Sequence, residues 1–489
     1  MEYSKLSSYK LKKGKFISPW NEFMKPVEDN KSWTYGRLPE YIWIALIFHK
    51  FGRQEGFRRL SPILHTIKDK TSLKYIRMSD FLMASETEKE CIFTALYDNA
   101  GLNCLAPLTV IISSEIDSMF ALKFSNSMLI EERVKIIQDC MKKVMNHQSN
   151  EATDIRYIPL SYSFICGKLH VMKEQGDMLF KYQLMDHSAE EMRMIRPLVR
   201  SCELMLLTIE KANDTYLNVF WSAISELTEC DLFIMSFDKE EVDTKEYYDS
   251  VKKIFFYFQR LYEACDPLDK RMKVLLGIAT YSYKRLEEAE KHSLYNAISG
   301  RTIIRSIIEN YIMMKYMATI EKDNPSIWNE FENYGIGQYK LVLARHRECD
   351  NKREAHVDTH VLEAIVNEYT LEEFQDMDTK YFNNERIRDK ANKVDEKDLY
   401  GLYYDYDSAF EHGFWGAIRE SSMLKCDNPA HQYHCVPNIN NEVLLKSIFP
   451  DCVYVMNKTI RFLDLLYGVP ESMMEEIGKY EQSLIGKYN

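Results

Sequence analysis

Glycine and proline are scarce in this chain, 17 and 13 of 489 residues. A backbone with so few breakers and turn formers favours long helices over many short strands. Long apolar runs are missing too. The most apolar stretch near the start, Tyr41 to Phe48, is far too short to span a bilayer. The basic opening leads into FISPWNEF, not into an apolar signal core with a small-residue cleavage site. The eleven cysteines are odd in number and scattered, with no compact framework spacing, which fits reduced thiols. These absences lead to the expectation of a cytoplasmic protein that does not engage a membrane. Also lacking are a glycine-rich phosphate loop, HExxH, GxSxG and CxxC. Gly335 and Gly337 stand without the rest of a dinucleotide fingerprint. No internal repeat at solenoid periods and no low-complexity tract is found.

What is present is an ordinary globular composition, 46% hydrophobic and 28% charged, on a chain long enough for two domains with sizeable cores. The formal net charge of −11 does not support a protein-wide footprint for nucleic acid, and a protein partner suits the chain better. The charge is uneven: residues 1–60 hold 12 Lys+Arg against 6 Asp+Glu, a balance of +6, so the remainder carries −17. Lys5, Lys10, Lys12, Lys13 and Lys15 cluster at the start. The organisation expected is a basic arm over 1–36, a helical domain over 37–240 and a helical bundle over 241–489. The fold class expected is mainly α.

Pro39 suits a first helical turn, and Gly52 closes the apolar segment that follows it. Ser85 and Glu88 have capping-box spacing. Residues 129–147 read as an amphipathic helix. Further helices are expected near 197–210, 213–228, 243–263, 268–292, 297–318, 440–466 and 470–487. Alternating and aromatic content over 155–185 reads as one small β hairpin. The segment ECDLFIMSFDKEEVD (229–243) is the linker candidate.

Two helical segments carry a polar stripe beside an apolar face. In AISGRTIIRSIIENYIMMKYM, Arg301, Arg305 and Glu309 fall at i, i+4 and i+8 on one side, with Ile303, Ile304, Ile307, Ile308 and Tyr311 opposite. In GLYYDYDSAFEHGFWGAIRESSM, read as one helix, Tyr404, Ser408, His412, Trp415 and Arg419 share an arc. Facing stripes would bring together an arginine pair, a carboxylate and a histidine. His412, with an ordinary pKa of about 6.5, is the candidate for proton transfer. Arg301 and Arg305 are the phosphate-clamp candidates, Glu309 the orienting carboxylate, and Tyr404 and Ser408 the groups that orient the ring or bind a substrate oxygen. Trp415 and Arg419, with His431 and His434, are candidates for substrate contacts. An ordinary packed histidine and an exposed Arg305–Glu309 pair are the bland alternatives.

CDNPAHQYHC places Cys426, His431, His434 and Cys435 within ten residues, a set that zinc could use. The adjacency of His434 and Cys435 makes joint tetrahedral ligation awkward, so the expectation is no metal and no cofactor. Arginine and histidine at the spacing found in HEPN-type helical ribonucleases occur at Arg59–His65, Arg58–His65, Arg285–His292 and Arg353–His360. Such pairs arise by chance at this composition, and none includes His412.

Four phrases resemble an uncharacterised family of bacterial all-helical proteins. They are RLPEYIWIALI with FGRQEGFRRL (37–60), Arg301 through Glu309 with Tyr316, Tyr404–Ser408–His412, and NPAHQYHCVP (428–437). The resemblance implies an all-helical C-terminal domain and no established reaction. Some members are similar to proteins encoded near anti-phage defence systems, which implies an antiviral effector role by association. Two functional expectations follow: a helical binding or effector protein, or a metal-independent ribonuclease or nucleotide-acting enzyme built on the His/Arg/Glu cluster.

Overall fold

The computed structural model describes residues 5–19, 22, 32–168, 173–206, 213–239, 243–265, 269–349, 356–368 and 371–485. The outer ends of the helices expected at 197–210 and 470–487, and part of the 1–36 arm, lie outside these. Helix accounts for 71% of the structure, with only two small sheets, so the fold is mainly α. The backbone divides into two compact units. One comprises residues 1–233 and 425–435, and the other 234–424 and 436–489.

The first unit opens with a short hairpin, β1 (Lys10–Lys12) paired antiparallel to β2 (Lys15–Ile17). Lys13 and Gly14 form its turn at φ 48° and 77°. Two successive positive φ values match the twist of a tight hairpin, and glycine takes one of them without strain. Pro39 lies in the 3₁₀ turn Leu38–Tyr41, which feeds α1 (Ile42–Phe51). Gly52, at φ 74°, separates α1 from α2 (Arg53–Lys70). Next come α3 (Glu86–Ala100), started by the Ser85–Glu88 capping box, α4 (Ile130–Val144), α5 (Asn150–Ile165), α6 (Met192–Leu206) and α7 (Asp214–Glu226).

The hairpin expected over 155–185 is corrected. Residues 155–165 complete α5, and Lys173–Lys181 form another helix. Ile155, Arg156, Tyr157, Ile158, Leu160 and Tyr162 are all buried. A helix packed on every side has no polar face, so its 3.6-residue period vanishes from the sequence. Ser149 caps it by accepting from the Ala152 N–H at 3.0 Å.

The core of this unit runs from Trp33 to Ile224 and includes Ala430. Within it lies a buried ion triad. Arg37 Nη1 reaches both Glu203 oxygens at 2.5 and 2.7 Å, and Arg156 Nε reaches Oε2 at 2.7 Å. Both guanidiniums lie against the Trp33 ring. Burial alone would raise the Glu203 carboxyl, but the two arginines hold it below the usual range.

The second unit is built from α8 (Thr244–Ala264), α9 (Lys270–Lys291), α10 (Ile298–Ile320), α11 (Ile327–Glu348), α12 (Asp405–Glu411), α13 (Trp415–Ser421), α14 (Phe449–Tyr467) and α15 (Glu471–Ile485). Its core centres on α10, whose Ile303, Ile304, Ile307 and Ile308 are at most 1% exposed. Gly300 lets α10 begin close to the preceding turn, because an added Cβ would overlap the Leu294 carbonyl oxygen. No helix among the described residues is long and apolar enough to cross a membrane.

Candidate functional site

The two stripes of the second unit meet, but only in part. Arg305 on α10 donates from Nε to Ser408 Oγ at 3.0 Å and from Nη2 to Tyr404 Oη at 2.7 Å. Its Nη1 stands 3.5 Å from Glu309 Oε2 on the next turn. Tyr404 Oη donates onward to the same Glu309 oxygen at 3.0 Å, and its ring lies 4.6 Å under the guanidinium. Ser408 Oγ donates to the Tyr404 carbonyl at 2.7 Å. The result is a closed loop of four side chains joining α10 to α12 and the turn before it. Burial, then the Glu309 carboxylate, push the Tyr404 phenol well up, so it remains a donor.

The second stripe is not one helix, which corrects the continuous reading of 401–423. A π-type turn over Leu399–Tyr404 leads into α12, and the helix stops at Glu411. Gly413 takes φ 60°, and the Phe414 N–H bonds back to the Ala409 carbonyl at 2.8 Å. This is a glycine-terminated helix end. The chain then restarts as α13, so Trp415 and Arg419 leave the arc of Tyr404 and Ser408. Trp415 is 61% exposed, and Arg419 is half-buried. His412 sits exposed at the end of α12, its ring tilted against Phe414 at 5.6 Å.

Arg301 takes different partners from Arg305. It is buried, Nη2 donates to the Lys446 carbonyl at 2.7 Å, and Nε has no hydrogen-bond partner among the described residues. Its guanidinium lies 5.7 Å from both the Tyr406 and Phe410 rings. Burial pushes the Asp407 carboxyl up to about 7, against the pull of Arg301. Burial likewise pushes Asp451 up to about 6, opposed by Arg301 and Lys446. Two carboxyls that titrate near neutrality around one arginine escaped the sequence reading. Asp407 is one residue off the stripe, and Asp451 lies on α14, about 150 positions from Arg301.

Asp451 also lines a cleft of about 750 Å³ with Asp395, Glu396, Lys397, Asp398, Tyr403, Tyr454 and Lys458. Within it Glu396 accepts from Tyr311 Oη at 2.9 Å and from Lys315 and Lys458 at 2.8 Å each. Burial would raise Glu396, but these three donors hold it below the usual range.

His431 and His434 belong to the first unit. They stand with Cys230 and Cys426, one ligand atom from each lying within 4.8 Å of the others. Cys435 is outside this group, and Cys230 takes its place.

Residues 289–431 match the model of a family of unknown function, DUF5677. The matched stretch contains Arg301, Arg305, Glu309, Tyr404, Ser408, His412 and His431. No curated protein and no solved structure matches the chain.

Proposed function

We propose that the chain is a helical binding protein that acts through a protein partner, and that the acidic cleft of its second unit receives a basic segment of that partner. The observation that carries this reading is the state of Arg305. Each nitrogen of its guanidinium already faces Ser408, Tyr404 or Glu309. A phosphate clamp needs donors turned outward as a fork. Here the fork is spent on holding one helix to another. His412, the proton-transfer candidate, faces solvent. General acid–base work needs a base within about 2.6–3.2 Å of the proton it moves.

The cleft supplies what a basic segment needs. Asp395 and Asp398 are exposed on its wall with Lys397 between them, Lys458 is paired to Glu396, Asp451 lies deeper, and Tyr403 and Tyr454 add amphipathic surface. Tyrosines suit cationic side chains as well as apolar ones. A cation entering beside Asp451 would draw its proton off, so binding should tighten as pH rises through about 6.

The test is fluorescence anisotropy with a labelled Lys/Arg-rich peptide and an acidic control, at low and high salt. Salt-sensitive binding of the basic peptide alone, weakened at least about tenfold in an Asp395→Lys/Asp398→Lys double variant, supports the reading. RNA cleavage or nucleotide turnover by the wild-type chain, abolished in His412→Ala and Arg305→Ala with folding intact, would replace it with the enzyme reading. The antiviral effector role implied by the resemblance is tested by plating phage on expressing cells. Protection that survives His412→Ala but not the cleft double variant places that role in binding.

A further inference from the structure

The first unit receives an eleven-residue visit, 425–435, from a chain that has already left it at 233. The two passages meet as short strands. Leu232–Phe233 pairs antiparallel with the end of Met423–Cys426, Leu232 opposite Cys426 and Phe233 opposite Lys425. The Asp427 N–H bonds to the Asp231 carbonyl at 2.8 Å. Buried Asn428 ties the visit down further. Its Nδ2 donates to the Glu229 carbonyl at 2.7 Å, and its Oδ1 accepts from Gln138 at 3.1 Å. The chain then folds back through Gln432 and Tyr433, both left-handed at φ 55° and 51°, so that the His434 carbonyl accepts from the Cys426 N–H at 3.0 Å.

This knuckle points two sulfurs and two imidazoles at one spot. Cys230 Sγ lies 3.3 Å from His431 Nδ1 and 3.3 Å from His434 Nε2, and Cys426 Sγ lies 3.7 Å from His431 Nδ1. A tetrahedral ion with Zn–S near 2.3 Å and Zn–N near 2.0–2.1 Å has S–N edges of about 3.5 Å. The three separations, 3.3, 3.3 and 3.7 Å, bracket that edge. A second observation concerns the far side of His431. Its Nε2 faces the Thr228 carbonyl at 3.2 Å, the Ser225 carbonyl at 3.3 Å and the Thr228 hydroxyl at 3.0 Å. Two carbonyls can only accept, so Nε2 carries the proton and Nδ1 turns its lone pair toward the sulfurs. That is the tautomer and the supporting shell a metal-bound histidine takes.

We propose that Cys230, Cys426, His431 and His434 bind one Zn²⁺, which staples residues 425–435 to the segment that follows α7. Two thiolates and two neutral imidazoles cancel the dication. Four protein ligands leave no open position, so the site is structural and not hydrolytic. Binding releases one proton from each thiol and fixes both passages at once.

The experiment uses the full chain, purified without chelator. Elemental analysis should give about one zinc per wild-type chain, as one closed four-ligand site requires. Cys230→Ser and His434→Asn replace exposed ligands, so the core stays intact while zinc falls at least about tenfold. Cys435→Ser should keep its zinc. Cobalt exchanged into the wild-type chain should show tetrahedral visible bands with thiolate charge transfer. Chelation should raise amide exchange in 225–231 and 425–435 above the rest of the first unit. A zinc-free wild-type chain that takes up neither ion, a Cys230–Cys426 disulfide in its place, or zinc retained in both ligand variants would overturn the proposal.

Discussion

Asp407 offers a sharp test of how the second unit is held together. Its carboxyl is 4% exposed and feels the charges of Arg301, Asp451 and, more weakly, Arg305. Burial raises it from 3.8 to about 7, and the neighbouring Asp451 charge adds to that rise. The folded chain therefore holds this proton more tightly than the unfolded chain does. Between pH of about 4 and 7 the folded state binds more protons, so stability is full below that window and falls as pH rises through it. Each unit of displacement is worth about 1.4 kcal/mol, so the loss above pH 7 is about 4 kcal/mol. Asp407→Asn keeps the shape and never ionises. Urea unfolding of both chains from pH 4.5 to 8 should give similar midpoints at the acid end. The variant should then pull ahead, by about 3–4 kcal/mol at pH 8. Asp451 titrates in both chains and largely cancels. A gap independent of pH, or a variant less stable than wild type at pH 8, would refute the claim that Asp407 is buried at a cost and only partly neutralised by Arg301.

Other outcomes follow from the same packing. Glu203→Gln leaves Arg37 and Arg156 buried without their counter-charge and should cost the first unit about 3–5 kcal/mol, read from urea unfolding. Tyr404→Phe removes the hydroxyl that takes from Arg305 and gives to Glu309, and should cost about 1 kcal/mol because Glu309 can rehydrate. Gly300→Ala drives a methyl into the Leu294 carbonyl and should lower stability by about 1–3 kcal/mol, with faster amide exchange at the start of α10.

The helices were legible wherever one face meets solvent. The expected helices at 213–228, 243–263, 268–292 and 297–318 lie within a few residues of α7, α8, α9 and α10. Their apolar residues repeat at the helical period, and Asn213, Asp243 and Asp269 cap three of them. Legibility failed at α5, which is buried all round. It failed again at Gly413, where one left-handed residue ends a helix whose side-chain pattern continues past it. The Arg305–Tyr404–Ser408–Glu309 loop was legible as two facing stripes because both halves keep helical spacing up to that glycine. His412 lies one turn beyond Ser408 in sequence, but the helix ends just before it.

The cysteine–histidine group marks where spacing arguments run out. Within CDNPAHQYHC the fourth ligand on offer is Cys435, and its adjacency to His434 argues against a metal. That geometric objection is sound, since neighbouring residues on an extended chain send their side chains to opposite faces. It does not bear on the set proposed above, because a tetrahedron needs four atoms in space and not four positions in a window. Cys230 precedes Cys426 by almost two hundred residues and reaches the cluster only because Asp231 and Asp427 are joined through the backbone. A lone cysteine four residues past the end of α7, inside a segment read as linker, carries no ligand signal of its own. Its meaning comes from the strand pairing that delivers it.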